Sequence, residues 1–333
     1  MAQKRVLVTI VVAILLAGGG IAIGRWAIPS TSSTTSSALP SVSCGSLNKL
    51  SSARNGTPLS TSASLGRIRA TLSGTAMIPM PYGVPALERE RIAISIGGKQ
   101  VMHSLVAIPP QNLSGTALIP SNMSTAPGPI WSTRATNSGG PVCIARFGGA
   151  NPETAALVAV YTGGAHCCTW IEAYRISSNA ASSSPIKEDI GNPHANVVER
   201  NGQAVIVTAD NAFAYEFACY GCSGLPISVL ELHQGRFVSI TSKYPDWITE
   251  DSAYWFMAGD SSAPGAGLGY FAAWVADECT LDQGSQAFDT LNQLQADGYL
   301  VSTSNPEQHS GWPSGSAYIS QLRNFLSVHG YCS

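Results

Sequence analysis

The spacing of apolar and polar residues divides the chain into four stretches. Val6 to Ile23 is an unbroken uncharged run behind Lys4 and Arg5. Its length reaches the lower end of what spans a bilayer, roughly 17–25 residues, and its positive flank would stay in the cytoplasm. It predicts a signal anchor and transmembrane helix over 1–28, with cleavage at Ala22-Ile23-Gly24 as the competing outcome. "PSTSSTTSSALPSVS" (29–43) opens a Ser/Thr-rich stretch without an apolar period. Such composition cannot bury enough surface to fold, so 29–64 reads as a flexible spacer, interrupted by Cys44.

From 65 to 243 the period is that of strands. "RIRATLS" (67–73) alternates, and "RIAISIGGKQVMHSLVAI" (91–108) holds Gly97-Gly98 between two alternating runs, a hairpin signal. Residues 109–141 read as a long loop. Short strands follow at 142–147, 156–161, 169–176, 196–200, 204–209, 212–217, 227–232 and 237–241. Near 244 the spacing turns helical. Pro245 and nearby acids open "YPDWITEDSAYWFMA" (244–258), and "GLGYFAAWVADECTL" (267–281), "SQAFDTLNQLQADG" (285–298) and "SGSAYISQLRNFLSVHG" (314–330) follow. The fold class expected is mainly β, propeller-like or sandwich-like, with an α-helical C-terminal cap over 244–333.

Composition changes this picture little. Asp, Glu, Lys and Arg make up 11% of the chain and the formal net charge is −2. With no basic run beyond Lys4-Arg5, nothing marks a nucleic-acid partner. Eight cysteines, Cys44, Cys143, Cys167, Cys168, Cys219, Cys222, Cys279 and Cys332, in an exported chain read first as disulfides.

Two segments share a layout. "CIARFGGANPETAALVAVYTGGAHCCTWIEAYRI" (143–176) and "VVERNGQAVIVTADNAFAYEF…ISVLEL" (197–232) each run from a short strand through a Gly/Asn turn and a very apolar strand to an outer strand with a glutamate. Ala156 aligns with Ala204, a spacing close to the ~40–50 residues of a four-stranded propeller blade. The order apolar strand, "TGGAHCC", aromatic-rich strand, "TADNAFAYEF", "LPISVLEL…GRFVSIT" and "YPDWI" resembles exported actinobacterial proteins with FG-GAP/VCBS-like repeats, the β-propeller repeat of integrin α subunits. The resemblance spans roughly 66–330 and implies two such units, 142–176 and 196–241. It would also bring an acidic calcium loop. This chain departs there: "RFGGANPE" (146–153) and "ERNGQ" (199–203) keep only Glu153, Glu199 and Asn201 beside backbone carbonyls, too few oxygens for calcium.

"TGGAHCC" (162–168) carries three readings. His166 beside Cys167 suggests a nucleophile and base, although strand neighbours face opposite sides. His166, Cys167, Cys168 and the "CYGC" pair Cys219 and Cys222 suggest a zinc set. The structural reading, a turn allowed by Gly163 and Gly164 and fastened by its cysteines, ranks first. Cross-links between Cys167/Cys168 and Cys219/Cys222 are preferred over local bonds, while Cys279 with Cys332 and Cys44 with Cys143 complete the set. The adjacent acids Glu250-Asp251 and Asp277-Glu278 read as solvated helix faces. His166 and Trp312 are candidate ligand-surface residues. No catalytic elbow, metalloprotease helix, phosphate loop or cofactor motif is present. The function expected is a membrane-tethered, extracytoplasmic binding or structural domain of the cell envelope, held to the membrane by 6–23, with an envelope polymer or protein as partner. The alternative is an exported hydrolase acting on envelope material.

Overall fold

A computed structural model describes residues 40–46, 53–77, 86–106, 117–120, 140–149, 151–161, 168–301 and 312–332. Residues 6–23, and with them the expected anchor, lie outside this set, as do Gly163, Gly164, His166 and Cys167. Among the described residues, no helix is long and apolar enough to cross a membrane.

Among the described residues, fourteen strands and four α-helices follow in order: β1 Val42–Gly45, β2 Pro58–Leu65, β3 Ile68–Met77, β4 Ala86–Ile96, β5 Lys99–Leu105, β6 Ala117–Pro120, β7 Val142–Phe147, β8 Glu153–Tyr161, β9 Thr169–Ile176, β10 Ile186–Gly191, β11 Asn196–Arg200, β12 Gln203–Ala209, β13 Ile227–His233, β14 Arg236–Ser239, then α1 Pro245–Asp260, α2 Leu268–Thr280, α3 Gly284–Ala296 and α4 Gly315–Val328. All strand pairings are antiparallel.

The two segments alike in sequence are alike in topology. β7-β8-β9-β10 and β11-β12-β13-β14 are each four-stranded meanders. They pack face to face through Cys143, Ala145, Leu157 and Ile171 on one side and Val197, Ile206 and Leu230 on the other. The opposite face of the first meander, with Val142, Val158 and Tyr174, meets Ala70, Leu72, Ile92 and Ile94 of a third sheet, β2-β3-β4-β5. The outer face of the second meander, through Val205, Val207 and Val229, covers Trp247 and Ile248 of α1. The order of layers is therefore sheet, sheet, sheet, helices. Because the first meander is covered on both faces, β8 reads "ETAALVAVY" without alternation. Each of its buried Val and Leu side chains contributes about 1.5–3 kcal/mol. The propeller expectation is corrected: no ring of blades closes, and β6 instead links the third sheet to β8.

The helical cap is where its spacing put it. Pro245 occupies the first turn of α1, with Asp246 beside it near the positive end of the helix. Phe271, Trp274, Leu291, Tyr318 and Leu322 form the cap's own core.

Three stretches differ from the sequence reading. The spacer expected over 29–64 contains β1 and β2, whose Ser/Thr positions pair across strands, as Ser62 does with Thr71. The loop expected over 109–141 contains β6. "AFAYEF", expected as a strand, instead begins within a 3₁₀ turn over Asn211–Phe213, capped by the Asp210 carboxylate accepting from the Ala212 N–H at 2.8 Å.

Candidate functional site

A cleft of about 890 Å³ opens where the edge strand β10, the ends of β12 and β14, and the C-terminal ends of α2 and α4 come together. Its position follows from local structure. β10 pairs only with β9 and carries an irregularity between Asp189 and Gly191, where the Asp189 carboxylate accepts from the Gly191 N–H at 2.9 Å. Gly191 has φ +68, and a Cβ there would sit 2.1 Å from the Asn211 side chain, so only glycine fits. Asn211 accepts in turn from the Asn192 N–H at 3.2 Å. These contacts join the rim of β10 to the end of β12.

Among the described residues, the lining carries four acids, Glu188, Asp189, Asp210 and Asp282, one histidine, His329, and no lysine or arginine. Hydroxyls of Thr208, Ser228, Thr241 and Thr280 lie among them. Burial, and then the neighbouring Asp189 charge, raises the Glu188 carboxyl above its ordinary value. On the far wall the Tyr331 hydroxyl donates to Asp210 at 2.7 Å. Burial holds the Tyr331 phenol protonated, and the charges of Asp210, Asp277 and Asp251 reinforce this.

Directly behind that wall, Asp251 of α1 and Asp277 of α2 meet in the interior. Asp251 accepts from the N–H of Ile227, itself a lining residue, at 2.6 Å. Both carboxyls are raised, chiefly by burial, and Asp251 further by the charge of Asp277, while Asp251 Oδ1 and Asp277 Oδ2 are buried without a hydrogen-bond partner. Two such groups share a proton rather than both ionise. The expectation of solvated faces for these acids is corrected: the aspartate of each adjacent pair is buried. Glu278 accepts from Ser252 across the two helices.

The residues singled out from sequence fall as follows. Cys168 is buried, disulfide-bonded and part of the cleft lining. Cys44 is bonded to Cys143, its cross-strand partner between β1 and β7, and Cys279 to Cys332, tying the end of α2 to the chain after α4. The cross-link preferred between "CYGC" and "TGGAHCC" is corrected, because Cys219 bonds Cys222 within one turn. A zinc set is likewise corrected, since Cys168, Cys219 and Cys222 are consumed in disulfides and carry no thiolate. Among the described residues, no three His, Cys, Asp or Glu side chains gather to hold a metal ion. In the two loops weighed for calcium, Glu153 pairs with Arg175 at 3.7 Å and Glu199 accepts from the Ser41 N–H at 2.7 Å. Trp312 is half-buried and donates its indole N–H to the Tyr215 carbonyl at 3.0 Å.

The cleft acids escaped the sequence reading because they come from three places distant in sequence: β10, the end of β12 and the end of α2. One signal was available: Asp210 directly after an apolar strand and before "NAF" is an N-cap pattern.

No family model matches the chain, and no solved structure matches it. It is 29% identical over 198 residues to a probable thylakoid lumen protein of Synechocystis sp., a match covering 54% of this chain and 57% of that protein. The chain thus spans a little over half the length of that curated relative.

Proposed function

We propose that the protein works outside the cytoplasm as a binding protein whose acidic cleft takes an amine-bearing, hydroxyl-rich ligand, such as an amino-sugar segment of an envelope polymer. The observation that carries this is the lining: among the described residues, four carboxylates and a set of hydroxyls with no lysine or arginine. Such a surface attracts cations and offers hydrogen-bond partners for sugar hydroxyls. Export is supported by the Lys4-Arg5 flank with its uncharged run, by the disulfides, and by similarity to a protein named for the thylakoid lumen. Tethering through 6–23 belongs to the same proposal. The test is thermal denaturation of the full chain with a glucosamine oligomer. The reading expects a rise in Tm that is lost in Glu188→Gln/Asp210→Asn/Asp282→Asn. No rise, or an equal rise in that variant, would end it.

One observation favours hydrolysis as a second reading. Glu188 is held protonated to higher pH than an ordinary glutamate, within a cleft that holds further carboxylates. Such a group suits a general acid acting on a glycosidic oxygen. Cleavage of the oligomer by the wild-type chain, abolished in Glu188→Gln while binding persists, would establish it. An uncleaved, bound oligomer leaves the binding reading alone.

A further inference from the structure

The Cys219–Cys222 bond differs from the two long-range disulfides. It closes a separation of 3 residues, against 99 for Cys44–Cys143 and 53 for Cys279–Cys332. A cross-link this short removes little freedom from the unfolded chain, so holding the fold does not account for it. Its cysteines are half-exposed in a 3₁₀ turn over Tyr220–Cys222, whereas Cys143 and Cys279 are buried. Exposed disulfides are the ones that exchange.

The surroundings of this turn also suit exchange. It lies on the first turn of α2: a Cβ at Gly269 would come within 2.3 Å of the Cys222 carbonyl oxygen, so glycine there lets the two backbones touch. The Tyr270 hydroxyl donates to the Gly221 carbonyl at 3.1 Å and holds them together. Around the turn is an aromatic collar. Tyr215 is 48% exposed and sits at φ +65, a region rarely used by a bulky residue. It is fixed there by its N–H donating to Ser223 at 3.1 Å and by Trp312 on its carbonyl. Its ring lies 5.5 Å from that of Tyr220.

We propose that Cys219–Cys222 is a thiol–disulfide exchange site that accepts electrons from a dithiol-bearing protein segment, docked on Tyr215, Tyr220 and Trp312. One thiolate of the partner attacks the Cys219 sulfur and forms a mixed disulfide, and the Cys222 sulfur leaves as a thiolate. The partner's second thiolate then attacks its own bonded sulfur and releases Cys219. Two electrons and the two thiol protons pass to this chain. The partner ends as a disulfide, and Cys219 and Cys222 end as thiols.

The test uses the full chain in glutathione buffers of stepped potential, alkylated and mapped by mass spectrometry, together with a reduced model peptide carrying two cysteines. Cys219 and Cys222 are expected to become alkylated at potentials where Cys44–Cys143 and Cys279–Cys332 stay bonded. One equivalent of peptide disulfide should form per chain, at a rate at least tenfold lower in Cys219→Ser/Cys222→Ser. Tyr215→Ala should slow the peptide reaction without changing reduction by a small thiol. Survival of Cys219–Cys222 alongside the two long-range bonds would overturn the proposal, even if the double variant fails to fold. Peptide oxidation at the wild-type rate by a folded double variant would also overturn it.

Discussion

The β layers and the helical cap are built with the same two devices, yet use them differently. Each has one long-range disulfide and one pair of buried acids. In the layers, the bulge between β3 and β4, with Arg89 at φ +52, precedes a buried Glu90 whose two carboxylate oxygens have no hydrogen-bond partner. Glu172 of β9 lies near it, accepting from the Tyr174 hydroxyl at 2.6 Å and paired with Lys187 at 3.8 Å. Burial, and then the Glu172 charge, raises Glu90, which stays protonated. In the cap, Asp251 and Asp277 are also raised by burial and each keeps one oxygen without a partner, but Asp251 receives the Ile227 N–H at 2.6 Å. One pair is an isolated cost inside a sandwich. The other is wired into the wall of the cleft through Ile227 and faces Tyr331. Burial alone therefore does not mark a site; connection to an open surface does.

The disulfides give the largest effects and the most direct way to break the comparison. By chain entropy, Cys44→Ser/Cys143→Ser should cost about 4.7 kcal/mol and Cys279→Ser/Cys332→Ser about 4 kcal/mol, read by denaturant unfolding. Loss of the second bond should also weaken ligand binding, because Cys279 and Tyr331 line the cleft; loss of the first should not. Asp251→Ala comes next, at about 3 kcal/mol, since it strands the Ile227 N–H. Asp251→Asn keeps an acceptor for that N–H and should cost far less. Unfolding midpoints of the two variants check this. Cys219→Ser/Cys222→Ser follows at about 1.6 kcal/mol by the same entropy relation.

Glu90→Gln gives the smallest change, close to zero at pH 4.5 and below, where the carboxyl is protonated in both the folded and the unfolded chain, and becomes relatively stabilising as pH rises. Its signature is in pH. A carboxyl raised by folding binds its proton more tightly in the native state. Its contribution is complete below the ordinary 4.5 and is lost as pH rises from there toward the folded value. Glu90→Gln should flatten that decline in a series of unfolding measurements above pH 4.5. An unchanged slope would place the decline on Asp251 and Asp277 instead.

Much of the fold was legible in the chain. The four helices start and stop within a few residues of their spacing signals, and the Gly97-Gly98 turn joins β4 to β5 as read. The repeat of 143–176 and 197–232 emerged as two meanders. β2 stayed hidden because "PLSTSASL" is nearly all small and hydroxylated; its pairing with β3, not its own apolar surface, makes it a strand. The site was less legible. "KEDI", Asp210, Asp282 and Tyr331 belong to elements distant in sequence, and nothing local distinguishes Asp251 from the solvated Glu250 beside it.

The claim that the cleft is the binding site is tested most directly by titration calorimetry of the full chain with a glucosamine oligomer. The comparison is of wild type with Glu188→Gln/Asp210→Asn/Asp282→Asn and with Glu90→Gln. The account predicts binding that weakens at least tenfold in the triple variant, fades with added salt, and is unchanged in Glu90→Gln. Equal affinity in all three proteins, or no heat of binding in any of them, would contradict it.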